Sequence, residues 1–170
     1  IRDVLDTVDY QQYRPIFKRI FSHVQRSKAL ERFEFIKIKN QPHYLVAVDG
    51  SGYYRSDKIA CDCCMIEEHF DCNNTMTIKF AHNILGASIV HPKLNQVISL
   101  CPEPIMRLDG RSKNDSEQTA FRRFIEDFKR EHPKLKVVFI LDALYANGPI
   151  IKLLRENEYE FIISVKETKS

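Results

Sequence analysis

Apolar positions recur every three or four residues in some parts of this chain and run unbroken in others. In "YRPIFKRIFSHV", Tyr13, Ile16, Phe17, Ile20, Phe21 and Val24 make one helical stripe, with Arg14, Lys18 and Arg19 largely off it. Pro15 belongs in the first turn of that helix, where its missing N–H is harmless. "RFEFIKIK" mixes alternation with β-branched residues and predicts a short strand or an extended lead-in, ended by "KNQPH". "HYLVAVDG" is apolar without alternation, the pattern of a strand buried on both faces. "SGYYRSD" is expected to continue past Gly50 and Gly52 as the far arm of a hairpin. "ILGASIVHP" and "QVISLCPEPI" are two further strands, joined by the turn-like "HPKLN", and residues 61–82 are expected to be irregular.

The second half alternates helix and strand. "NDSEQTAFRRFIEDFKREHP" has Asp115 to cap it and Gln118 as reciprocal partner, a buried stripe of Ala120, Phe121, Phe124, Ile125 and Phe128, and Pro133 to end it. "KVVFIL" is a strand, "NGPIIKLLREN" a short helix with Pro149 in its first turn, and "EFIISVK" the last strand. The order strand-strand-strand-helix-strand-helix-strand predicts an α/β fold. Strands separated by a helix run parallel through right-handed crossovers. This is the order of the ribonuclease H-like mixed sheet, here with an N-terminal helical segment. The expected organisation is a basic helical segment over 1–43 and a catalytic core over 44–170.

Two of the apolar runs end on a carboxylate, "YLVAVDG" on Asp49 and "KVVFILD" on Asp142. An Asp-Gly pair alone also reads as a turn former. If the two strands lie side by side and parallel, about 4.8 Å apart, both acids meet at one sheet edge. Two carboxylates that close repel each other. A divalent Mg²⁺ (or Mn²⁺) relieves the conflict, since such ions take a few carboxylate oxygens and keep waters for phosphate. Glu117, in the first turn of the intervening helix, is the third candidate acid, although acids also favour helix N-termini for the macrodipole.

The set "YLVAVDGSGYYRSDKIACDCC", "HNILGASIVHP", "CPEPI", "DGRSKNDSEQTAFRRF" and "LDALYANGPII" resembles the catalytic region of DDE-type transposases of bacterial insertion sequences, over roughly residues 1 to 166. The resemblance implies a ribonuclease H-like core that cuts DNA at transposon ends and joins the 3′-hydroxyl to target DNA. It implies double-stranded DNA as partner and a homo-oligomer on that DNA. Asp49 matches the first acid of the family and Asp142 the second. The third, a Glu on a helix beyond the last strand, has no counterpart before Ser170, so the chain is expected to be a C-terminally truncated piece. Ser116 stands where relatives often carry Cys. Glu117 occupies the place of the helix glutamate of ribonuclease H itself.

Four of the five cysteines, Cys61, Cys63, Cys64 and Cys72, fall within twelve positions. Cys61 and Cys64 form a C-x2-C pair, and with His69 and His82 they suit tetrahedral Zn²⁺. Cys63 and Cys72 are alternative ligands, and half-buried free thiols are the plainer reading. The chain lacks the order of a secretory signal and any long apolar run, so a cytoplasmic protein with no membrane partner is expected. Charge adds one asymmetry: residues 1–43 carry nine Lys/Arg against five acids, while the rest is near neutral. Arg14, Lys18, Arg19, Arg55, Lys58, Arg111 and Lys113 are the candidate contacts to a DNA backbone. The alternatives are a ribonuclease H-like nuclease that cuts without joining, and an inactive zinc-containing module for DNA binding or assembly.

Overall fold

Three α-helices and eight β-strands frame the computed structural model, which describes residues 9–70, 72, 74–105 and 116–165. Helix α1 (Arg14–Arg26) leads into β1 (Glu34–Ile38), β2 (Gln41–Ser56), β3 (Met65–Phe70), β4 (Met76–Val90), β5 (Ile98–Ser99) and β6 (Glu103–Ile105). Helix α2 (Glu117–Glu131), β7 (Val137–Leu141), α3 (Gly148–Glu156) and β8 (Glu160–Ile163) complete the order. The strands form one mixed sheet in the order β3-β4-β2-β7-β8, with β1 on β2 and both β5 and β6 on β4. β2, β7 and β8 are parallel, and the other pairings are antiparallel. This mixed α/β arrangement is compatible with a ribonuclease H-like fold. No helix among the described residues is long and apolar enough to cross a membrane.

The centre of the sheet is dry because β2 and β7 are apolar on both faces. Val46 and Phe139, paired in register, are both fully buried. The stripe read for α2 is the one buried, with Ala120, Phe121, Phe124, Ile125 and Phe128 in the core. Phe21, Leu30 and Phe33 from the N-terminal segment join the same core.

Four local expectations differ from the structure. β2 does not turn at Gly50; it runs straight through both glycines to Ser56, paired with β4 down to Phe80. The glycines serve instead a close approach and a register shift, which lies between Gly52 and Tyr54. Residues 61–82 contain β3 and half of β4, an exposed antiparallel ribbon whose polar faces hide its strand character. "QVISLCPEPI" is broken into β5 and β6, separated at Cys101 and Pro102, and proline has no N–H for a ladder. Helix α1 is rolled away from its apolar stripe: Tyr13, Ile16 and Ile20 are exposed, while Arg14 and Phe21 face inward.

Asp115 lies outside the described residues, and Ser116 caps α2 by accepting the Thr119 N–H at 3.1 Å. At the other end His132, just before Pro133, packs edge-on to Phe21 with ring centroids 4.3 Å apart and against Phe128 at 5.2 Å. Burial lowers its pKa, Glu131 opposes that shift and Lys18 adds to it. The unfolded chain therefore takes up this proton first, near the ordinary value of 6.5. Stability should be level above that pH and fall as pH drops below it, until the folded imidazole also protonates. Melting temperature followed against pH should show this acid limb in the wild type and a shallower one in His132→Phe.

Candidate active site at the carboxylate edge

The parallel register of β2 and β7 pairs Tyr44 with Val137 and Ala47 with Ile140. This ladder ends two residues short of Asp49 on β2 and of Asp142, which directly follows β7. Both acids are exposed, while the residues just before them, Val48 and Leu141, are buried. Asp142 leaves the sheet in extended conformation and begins a short 3-10 turn, Ala143–Tyr145. Its Oδ1 accepts the Leu144 N–H at 2.9 Å. One oxygen thus holds the turn, and Oδ2 stays at the exposed edge.

Glu117 is the first residue of α2, and the helix delivers its carboxylate to the same edge. The Tyr145 hydroxyl donates to Glu117 Oε1 at 2.6 Å. Gln118 Nε2 donates to the Leu144 carbonyl at 2.9 Å, so two side chains tie the start of α2 to the turn after Asp142. Gln118 was expected to cap its own helix; it spans the gap to the next element instead. The Glu117 carboxyl group lies over Gly50, where an added Cβ would come within 2.7 Å of Glu117 Cδ. Gly50 is therefore the residue that lets an acid from the helix lie beside Asp49 on the strand.

Tyr145 reports on this convergence. It is fully buried, and its pKa is raised by burial first, then by its bond to Glu117 and by the charges of Glu117, Asp142 and Asp49. The phenol stays protonated and acts as a fixed donor. Neither Tyr145 nor Gly50 was singled out for this work from sequence. The available signal was a Tyr three residues after the strand-end Asp, and a Gly directly after the other.

The donors at this edge are all carboxylate oxygens, the hard set that suits Mg²⁺ or Mn²⁺. Among the described residues, the three carboxylates are not gathered as a group with ligand atoms within 4.8 Å of one another; Cys61, Cys64 and His82 are. Mg²⁺ is commonly held by one or two carboxylates and its own waters, so Asp49 and Asp142 fit it in number and type.

The other candidates are dispersed. Arg14 is buried rather than presented to a polyanion: it binds Glu103, Asp127 and Glu131. Lys18, Arg19 and Lys58 are exposed. Arg55 is exposed and ion-paired to Glu67 at 2.9 Å, a surface pairing of small net worth. Arg111 and Lys113 lie outside the described residues. His69 stands apart from the cysteines, beside Glu67 Oε2 at 3.3 Å. In register it faces Thr77, five positions along β4 from His82, or about 16 Å of strand.

No family model matches the chain, and no curated protein matches it. Among solved structures it is similar to the Mos1 mariner paired end complex with Mn, at 11% identity, with 91% of this chain covered and a TM-score of 0.34. The match spans 43% of that structure's chain.

Proposed function

We propose that this chain is the catalytic region of a DDE-type DNA transposase, with Asp49 and Asp142 as its first two metal-binding acids. The observation that carries the reading is the parallel pairing of β2 with β7 through Ala47 and Ile140, two residues before the exposed Asp49 and Asp142. The resemblance of five sequence stretches to bacterial insertion-sequence transposases supports it, as does the run of antiparallel strands followed by two parallel crossovers. In this reading residues 44–170 carry the ribonuclease H-like catalytic core, and the basic segment 1–43 adds β1 to its sheet and Phe21, Leu30 and Phe33 to its interior. Double-stranded DNA is the substrate, and a homo-oligomer assembles on it.

A bound divalent ion would supply charge neutralisation at the scissile phosphate and activation of the attacking hydroxyl. The residues of the chain do the rest. Asp142 fixes the turn through one oxygen and offers the other at the edge. Tyr145 holds Glu117 in place through a hydrogen bond, leaving Oε2 over Gly50. Exposed Lys18, Arg19, Arg55 and Lys58 contact DNA backbone, which makes binding fall with added salt.

The test uses the full-length protein carrying this sequence and a duplex of its transposon end. Asp49→Asn and Asp142→Asn should each lower Mg²⁺-dependent cleavage by about a hundredfold or more, and should weaken Mn²⁺ binding measured by calorimetry. Cleavage at the wild-type rate in both variants overturns the proposal. The position of Glu117 favours one second reading, a nuclease that cuts without joining. That reading requires Glu117→Gln to abolish cleavage and wild-type protein to yield no joined product.

A further inference from the structure

A second cluster lies on the arm of the sheet, away from the carboxylates. Cys61 Sγ and Cys64 Sγ are 3.3 Å apart, and each approaches His82 Nε2, at 3.2 and 3.3 Å respectively. We propose that Cys61, Cys64 and His82 bind a zinc ion that clasps the segment between β2 and β3 onto β4.

Hydrogen bonding alone does not account for this triangle. One ring nitrogen of a neutral imidazole makes a single hydrogen bond, as acceptor or as N–H donor according to tautomer, yet two sulfurs meet this nitrogen and also touch each other. A separation of 3.3 Å is well beyond a disulfide bond. A tetrahedral zinc centre, with bonds of about 2.0–2.3 Å, spaces its ligand atoms by about 3.5 Å, close to the sides of this triangle. The backbone is arranged for such a centre. The Cys64 N–H donates to the Cys61 carbonyl at 3.1 Å, closing a turn. The Cys61 N–H donates to Cys64 Sγ at 3.2 Å, an outer bond that steadies a thiolate ligand. The imidazole is oriented too: the Tyr53 ring stacks on it at 5.8 Å and 20°, and Tyr54 leans on it at 5.6 Å.

The position gives the ion a task. His82 pairs with Tyr54 of β2, and its neighbour Ala81 pairs with both Arg55 of β2 and Met65 of β3. The ribbon formed by β3 and β4 therefore leaves the main sheet at this point. Residues 57–64 have no regular structure, and Cys64 alone among them is buried. Hydrophobic burial cannot hold that segment, whereas a zinc bridge between a turn and a strand can. Among the described residues, Cys61, Cys64 and His82 are the Cys/His/Asp/Glu side chains gathered closely enough to share one ion. His69, expected as a ligand from its spacing, takes no part.

The test begins with the wild-type chain, expressed in zinc-containing medium and analysed for metal. About one zinc per chain is expected, together with a lower melting temperature after chelation. Replacement by Co²⁺ should give the intense visible bands of a tetrahedral site and a thiolate charge-transfer band, readouts that need no variant to fold. Cys61→Ser, Cys64→Ser and His82→Ala should each lose the zinc, and His69→Ala should keep it. A zinc-free wild type that also takes up no Co²⁺ overturns the proposal, as does full zinc retention in the Cys61 and Cys64 variants. Loss of zinc from His69→Ala overturns the three-residue assignment.

Discussion

Arg14→Met should destabilise the fold by about 3–5 kcal/mol, the loss expected when one partner of a buried ionic network is removed. Arg14 is anchored from α1 into the interface of β6 and α2. Its Nη2 meets Glu103 Oε2 at 2.7 Å and its Nη1 meets Glu131 Oε1 at 3.2 Å, with Asp127 in contact as well. Its Nε donates to Gln11 Oε1 at 2.8 Å. Glu103 is the buried end of the network, its side chain 1% exposed. Its second oxygen accepts from Arg123 Nε at 2.7 Å, and Arg123 also donates to the Pro104 carbonyl at 2.8 Å.

Removing Arg14 leaves one cation for Glu103 and strips two further acids of their inner partner. Arg130 compensates little, because it reaches Asp127 and Glu131 from the exposed side. The double variant Arg14→Met, Glu103→Met removes the most deeply buried acid together with its cation, and should be more stable than Arg14→Met alone. Urea unfolding of the two variants and the wild type measures the difference. A loss below about 1 kcal/mol in Arg14→Met would make the network a surface feature, contrary to its burial.

This network also shows what a linear sequence conceals. Arg14 is one of nine basic residues in a segment that reads as a DNA-facing surface, and nothing local marks it as different from Lys18 or Arg19. Its partners lie about 90 to 117 positions away, on elements whose packing only the tertiary fold decides. The carboxylate edge was legible for the opposite reason. An unbroken apolar run requires a strand buried on both faces, and a bare acid at its end stands out against that run. Asp49 and Asp142 could thus be paired from strand order alone. Gly50 was legible as special but misassigned: a turn and a close approach both call for glycine, and the acid it accommodates, Glu117, is 67 residues on. The Cys61 and Cys64 pair was legible by spacing. His82 could be told from His69 only once β3 and β4 were seen to pair antiparallel, which carries His69 away from the turn.

Phe139→Ala should cost about 3–5 kcal/mol, as expected for truncating a fully buried aromatic ring. Phe139 lies at the middle of β7, paired with Val46 on one side and Phe161 on the other. Four rings meet it edge-on: Phe121 at 6.1 Å, Phe124 at 6.3 Å, Phe128 at 5.5 Å and Tyr159 at 5.2 Å. Each such pair adds about 0.5–1.5 kcal/mol beyond burial. Three of the four rings come from α2, so Phe139 is the point at which that helix is fastened to the sheet. The helix begins at Glu117 and the strand ends just before Asp142, so this contact sets the spacing between two acids of the candidate site. Phe139→Leu keeps most of the volume and should recover most of the stability. Denaturant midpoints at an unchanged slope provide the measurement. If Phe139→Ala moved the midpoint no further than Phe139→Leu, the ring would not be what fastens α2 to the sheet. Mn²⁺ affinity should follow the same order, weakest in Phe139→Ala, because Glu117 and Asp142 are held at the carboxylate edge by the two elements that this ring joins.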